Sequence, residues 1–289
     1  MTAKFTRRDR VYIALIGIFA ALLLVSLLLF PRLKGSLDAD TYTLSELALS
    51  RLLGGMIFLF LIPYLGYSLL SFERIPSIKA LLAVLPAVVI AVNNFPIIGL
   101  IRGSVYVDSG LPKALLLVLA CLGIGFFEEV AFRGVIFPLL LSRLLPAMRK
   151  RAEGKKPSRL PPETVAVFLA IVLTSAVFGL VHVLNLFAGG SPIAVLMQVG
   201  YSFLIGGMCA IVLLKTRCIW FPVFIHALYD LGGMLVQYLG GGKLWDTPTV
   251  ILTVVVSVAV AIYFLVLLFR MKKDEIEGLL KQNNKRKPD

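Results

Sequence analysis

Residues 112–146 read PKALLLVLACLGIGFFEEVAFRGVIFPLLLSRLLP, an apolar stretch with three charges, Glu128, Glu129 and Arg133, grouped near its centre. As one α-helix these residues extend about 52 Å at 1.5 Å per residue, against about 30 Å of bilayer hydrocarbon. The segment must therefore break, tilt strongly or overhang the membrane. Seven further apolar segments flank it, at 11–30, 52–70, 78–101, 163–187, 191–214, 218–239 and 248–269. Composition agrees: 59% of the 289 residues are apolar and only 16% are charged, where a soluble domain averages about 25% charged. Disorder, collagen and a polar soluble enzyme are excluded. The pattern predicts an all-α polytopic membrane helix bundle of about eight transmembrane helices. It reads as a single integral membrane domain over 1–289, with a motif-bearing core at 112–239 and a basic cytoplasmic tail at 270–289.

The net charge of +13 comes from 29 Lys and Arg against 16 Asp and Glu. The basic residues sit between the apolar runs. Arg7, Arg8 and Arg10 precede the first segment. The 147–162 loop carries Arg149, Lys150, Arg151, Lys155, Lys156 and Arg159 against Glu153, Lys215 and Arg217 follow the sixth segment, and the tail from Arg270 is Lys-rich. The loops at 185–192 and 239–249 hold only Lys243 and Asp246 as charges, and a loop at 31–51 mixes Arg32, Lys34 and Arg51 with Asp38, Asp40 and Glu46. Eight crossings put every basic connection on one side, which the positive-inside rule makes cytoplasmic. The expectation is a multi-pass protein of the cell membrane with both termini in the cytoplasm. The charge then reflects topology and lipid headgroups, with no nucleic-acid partner. The first segment is longer than a signal-peptide apolar region and lacks a small-x-small cleavage pattern, so it reads as a retained anchor. Cys121, Cys209 and Cys218 show neither metal spacing nor a disulfide framework and read as small buried hydrophobes.

Charges inside a span are costly and mark function. Away from segment edges they are Glu128, Glu129, Arg133, Arg143 and Asp230, and Arg143 is close enough to the basic loop to snorkel. The chain's two histidines, His182 and His226, also fall in apolar segments. Glu129 and Arg133 are i, i+4 on one helix and share a face, which suits a supporting ion pair. Glu128 is rotated about 100° away and lacks that partner. An unpaired carboxylate in a low-dielectric setting is more basic than one in water, as a general base requires. Phe178 and His182 are i, i+4, as are His226 and Asp230. Two histidines and a carboxylate from three helices could deprotonate a water or bind a metal.

The stretch Glu128-Glu129-Val130-Ala131-Phe132-Arg133 resembles the EExxxR motif of the CPBP family, intramembrane proteases that include the type II CAAX prenyl endopeptidases and the bacterial ABI proteins. Phe178-Gly179-Leu180-Val181-His182 is similar to that family's FxxxH motif, and His226-Ala227-Leu228-Tyr229-Asp230 to its HxxxN/D motif. The three occur in the family's order across residues 128–230, each in an apolar segment. The resemblance implies a helical membrane fold with a conical cavity open to the cytoplasm and hydrolysis of a peptide bond, in a CAAX-like C-terminus or another membrane protein. It implies that Glu128 and His182 activate water, that His226 and Asp230 stabilise the oxyanion, and that Glu129 and Arg133 support the site while Phe178 packs it. It leaves two ways to activate that water. One is zinc, with Glu128, His182 and His226 as ligands. The other is the glutamate itself with no cofactor, favoured because the chain lacks HExxH and has only two histidines.

The prenyl proteases usually carry Asn where this chain has Asp230. Ionised, Asp230 could accept a hydrogen bond from His226 and orient it; protonated, it could donate to the oxyanion. Two other function classes share these residues. Buried Glu, His and Asp also form proton relays in transporters, although no repeat symmetry is visible here. A non-proteolytic scaffold or immunity protein could keep the same fold. The implied partners are a peptide or protein substrate and the lipid bilayer.

Overall fold

The computed structural model describes residues 7–65, 76–154, 159–243, 247–271, 273, 275 and 276. Lys155, Lys156, Asp246 and most of the basic tail lie outside the described residues, as does the end of the 52–70 segment. Within them the chain is helical, as its hydropathy requires. Helix α1 (Arg7–Leu24) runs through a π-helical stretch at Val25–Leu29 into α2 (Phe30–Leu33). Then come α3 (Ala39–Tyr64), α4 (Ile78–Asn93), the short α5 (Ile97–Arg102) and strand β1 (Val105–Val107). Helix α6 (Leu111–Glu129), a π segment (Val130–Ile136) and α7 (Phe137–Ala152) form one continuous rod. After them come α8 (Pro162–Val181) with a 3-10 extension (His182–Leu186), α9 (Pro192–Thr216), α10 (Trp220–Leu239), strand β2 (Gly240–Gly242) and α11 (Thr247–Phe269).

Five helices are long and apolar enough to cross a membrane by length and composition: Ala39–Ile62, Leu111–Ala152, Pro162–Leu186, Pro192–Thr216 and Thr247–Phe269. The expected eight therefore separate into two kinds. Ala14–Leu28 and Ile78–Asn93 are apolar but shorter, the latter because Asn94-Phe95-Pro96 ends α4. Helix α10 carries His226, Asp230 and Gln237, which dilute its apolar character. Outward faces are apolar: Val254, Val255, Val258 and Ile262 of α11, Leu82 and Leu85 of α4, and Leu196 and Met197 of α9 are exposed. Exposed apolar surface on this scale needs a nonaqueous partner, which the bilayer supplies to a multi-pass membrane protein.

The structure departs from the sequence reading in two places and narrows it in a third. The 31–51 segment is not a loop. Asp38 Oδ1 accepts a hydrogen bond from the Thr41 N–H at 3.0 Å, capping a helix that starts at Ala39 and buries Leu44 and Ala48 against Leu117, Ala120 and Cys121. Arg51 thereby moves into the middle of α3. Of the three possibilities for the long apolar segment, a break is removed: the rod over 111–152 is continuous through a π segment, and its 42 residues exceed the thickness of bilayer hydrocarbon. A short antiparallel strand pair, β1 with β2, was not anticipated; Val105 faces Gly242 and Val107 faces Gly240.

Ion pairs define the two ends of the bundle. At one end Arg149 meets Glu163 at 3.0 Å and Lys215 meets Glu275 at 3.0 Å, joining α7, α8, α9 and the residues after α11. At the other, Lys113 meets Asp40 at 3.0 Å beside the strand pair. Helices α3 and α6 run parallel. Helix α10 runs antiparallel to α6 and approaches it closely at Gly125, where an added Cβ would lie 2.6 Å from Val223 O and 3.0 Å from Ala227 N. Cys121, Cys209 and Cys218 are free thiols and buried.

Candidate active site

The π segment starts immediately after Glu129 and is buried through Val135. Inserted π turns re-aim the side chains around them and recur at functional sites. Here the insertion keeps Glu129 and Arg133 in contact: Arg133 donates from Nη1 to Glu129 Oε1 at 3.1 Å, with the two side chains 1% and 0% exposed. The Arg133 guanidinium lies over Phe178, 4.5 Å from its centroid, a cation–π contact. Gly206 of α9 makes room for it, since a Cβ there would stand 2.6 Å from Arg133 Nη2.

The same Glu129 oxygen accepts a second hydrogen bond, from His226 Nδ1 at 2.7 Å. This link across 97 residues of chain corrects one sequence expectation. The acceptor that orients His226 is Glu129, not Asp230. With Nδ1 engaged, the ring presents Nε2 to two other carboxylates. Glu128 Oε2 and Asp230 Oδ2 each lie 3.6 Å from it, too far for a direct hydrogen bond. Asp230 Oδ2 is fully buried and has no hydrogen-bond partner.

His182 occupies the position where α8 stops being α-helical. Its backbone N–H turns to Gly179 O and Leu180 O, so the Phe178 carbonyl loses its usual donor. The His182 ring takes that place, with Nδ1 2.9 Å from Phe178 O. Because a carbonyl only accepts, Nδ1 carries the proton and Nε2 is left as an acceptor in the neutral ring. Phe178, 2% exposed, stands edge-on to both imidazoles, 5.2 Å from His182 and 5.9 Å from His226. It spaces the two histidines and also packs on Phe132 at 4.9 Å.

Phe178 lies sixteen residues along α8 and His226 six along α10, and their rings meet 5.9 Å apart. Arg143 is exposed on α7.

Glu128, His182, His226 and Asp230 all line one cavity of about 410 Å³, with Phe132 and Phe178 in its wall. The four polar residues named in the sequence are thus brought together, while Glu129 and Arg133 lie behind the wall. The cavity also takes in Arg51, Tyr201 and Gln198, which the sequence reading missed. Arg51 was legible only if α3 had been started at Ala39, which the Asp38 cap indicates; nothing local marks Tyr201 or Gln198. A zinc site needs three or more donors around one point. Among the described residues no three His, Cys, Asp or Glu side chains stand so as to hold a metal ion.

The family model for type II CAAX prenyl endopeptidase Rce1-like proteins matches residues 110–232. No curated protein and no solved structure is matched by the chain. The matched stretch holds all three motifs and every titratable residue of the cavity except Arg51, so it is over residues 110–232, the part of the chain that builds the site, that the protein is similar to the type II CAAX prenyl endopeptidase Rce1-like family.

Proposed function

We propose that the chain is an intramembrane endopeptidase in which Glu128 and His182 activate the attacking water and His226 stabilises the oxyanion. The observation that carries this reading is the convergence of Glu128 Oε2 and Asp230 Oδ2 on His226 Nε2, 3.6 Å from each, in a cavity that His182 also lines. Gaps of that length suit a bridging water or a reacting group. Glu128 takes one proton from a water whose other hydrogen is bonded to His182 Nε2, and the oxygen attacks the scissile carbonyl carbon. The carbonyl oxygen becomes an oxyanion, and His226 Nε2–H, present when the ring carries both protons, donates to it. Glu128 then passes its proton to the leaving nitrogen as the C–N bond breaks. Glu129 holds His226, and Arg133 holds Glu129. The substrate is a peptide or protein, with a CAAX-like C-terminus as one candidate. The arginine- and lysine-rich end of the bundle faces the cytoplasm of the cell membrane, as the positive-inside rule requires.

Glu128→Gln tests this assignment. The variant keeps shape and hydrogen-bonding capacity but cannot take a proton. Peptide cleavage by purified protein is expected to fall by about 10²–10⁴-fold, with the thermal unfolding midpoint in detergent unchanged. Near wild-type turnover would remove Glu128 from the role of base. Gradient-driven uptake into liposomes that Glu128→Gln abolishes, without any cleavage, would instead support a transporter.

A further inference from the structure

Arg51 lies twelve residues into the span Ala39–Ile62, with no loop near enough to receive its charge. Helix α3 packs closely on α6 there. A Cβ at Gly123 would sit 3.2 Å from Ala48 O and 3.4 Å from Arg51 Cβ. The side chain crosses from this contact to the cavity of Glu128, His182, His226 and Asp230, and its guanidinium carbon lies 4.9 Å from the Phe127 centroid. Nε is fully buried and has no hydrogen bond. Among the described residues Arg51 forms no ion pair, and it is the one Arg or Lys that lines the cavity. Arg133, the other cation of the site, is already engaged by Glu129 and Phe178.

Arg51 feels the charge of Asp230 across the cavity but among the described residues meets no carboxylate at ion-pair distance, and an arginine inside a membrane span is costly unless closely paired, a pairing that a bound carboxylate would complete. The contact with Phe127 uses none of the guanidinium's hydrogen-bond donors and Nε has no partner, so the N–H fork is free to match the two oxygens of a carboxylate. Resting on the peptidase reading above, we infer that Arg51 binds the C-terminal carboxylate of the peptide that the site cleaves. A cavity of about 410 Å³ is of small-ligand size and admits a short terminal segment. Anchoring the terminus at Arg51 fixes how many residues lie between the chain end and Glu128. The enzyme then cuts at a set distance from a free C-terminus rather than anywhere along a transmembrane helix. Arg51 is thus a specificity residue, and it touches substrate away from the scissile bond.

The test uses N-palmitoylated peptides with the last six positions randomised but free of Asp and Glu, made as free acid and as C-terminal amide with distinguishable isotopes. Equal amounts are offered to full-length Glu128→Gln protein in detergent, and the retained ratio is read by mass spectrometry. An acid preference of about 10- to 100-fold is expected from a charge-assisted pair. In Arg51→Gln, Glu128→Gln the ratio should fall to near one. Arg51→Lys keeps the charge without the fork and should give an intermediate ratio, which covers the case in which Arg51→Gln fails to fold. No acid preference with Arg51 intact overturns the inference, as does a preference that survives Arg51→Gln. Cleavage of both forms by the wild-type protein is scored separately. Cleavage without acid preference defeats this inference and leaves the peptidase reading standing. Arg51-dependent retention without cleavage does the reverse.

Discussion

Glu129 Oε1 accepts a hydrogen bond from His226 Nδ1 at 2.7 Å while also accepting one from Arg133 at 3.1 Å. One buried oxygen thereby sets the orientation of the imidazole and pairs with Arg133 behind the cavity wall. Removing either Glu129 or Arg133 strands a buried charge, at a cost of about 3–5 kcal/mol. Glu129→Ala and Arg133→Ala should each lower the thermal midpoint and the cleavage rate. The double variant should be no less stable than the worse single one, because the charge stranded by each substitution is removed by the other. Additive losses in thermal unfolding would show that the two side chains act independently.

At Asp230 the structure alters the expected ranking of variants. Its Oδ2 faces His226 Nε2 at 3.6 Å and does not hold the ring. Asp230→Asn should retain substantial activity, since an amide fits the same space and can donate toward the oxyanion. Asp230→Ala should cost activity, yet less than Glu129→Ala, which frees the ring. Cleavage rates of the three variants decide the order. A larger loss for Asp230→Ala than for Glu129→Ala would return the orienting role to Asp230.

Gly125 sets the distance between α6 and α10. A Cβ there would meet backbone atoms, Val223 O at 2.6 Å and Ala227 N at 3.0 Å, and backbone cannot swing aside as a side chain can. Gly125→Ala should force α10 outward, carrying His226 away from Glu129 and Glu128. Overpacking of this kind costs about 1–3 kcal/mol. Thermal unfolding and cleavage should both report the loss. A wild-type midpoint and rate would show that the two helices separate without disturbing the site.

Water activation by Glu128 predicts that dialysis against a strong chelator leaves peptide cleavage in place. Stoichiometric zinc in active protein, lost with activity on chelation and restored with it on readdition, would reassign Glu128, His182 and His226 as ligands.

Relations inside one helix were legible in the sequence because the 3.6-residue turn dictates them. The Glu129–Arg133 pair, the Phe178–His182 contact and the placing of His226 one turn before Asp230 needed no tertiary information. Hydropathy likewise determined an all-helical membrane protein, since a backbone in hydrocarbon must satisfy its own hydrogen bonds. The short polar breaks were less clear. A capped start at Asp38 extends α3 and moves Arg51 from an apparent loop into the cavity, because capping competes with a hydropathy boundary drawn on apolar residues alone.

Which helices meet, and at what height, belonged to the tertiary structure. Glu129 and His226 are 97 residues apart, and their contact depends on how closely α10 seats on Gly125. That is a sum over many packing contacts, with no local signal of its own. The sequence by itself determined the helices and singled out four polar residues that line the cavity, Glu128, His182, His226 and Asp230. Only the packing decided that Glu129, rather than Asp230, would hold the histidine, because hydrogen-bond partners between helices follow from the register in which their surfaces interlock.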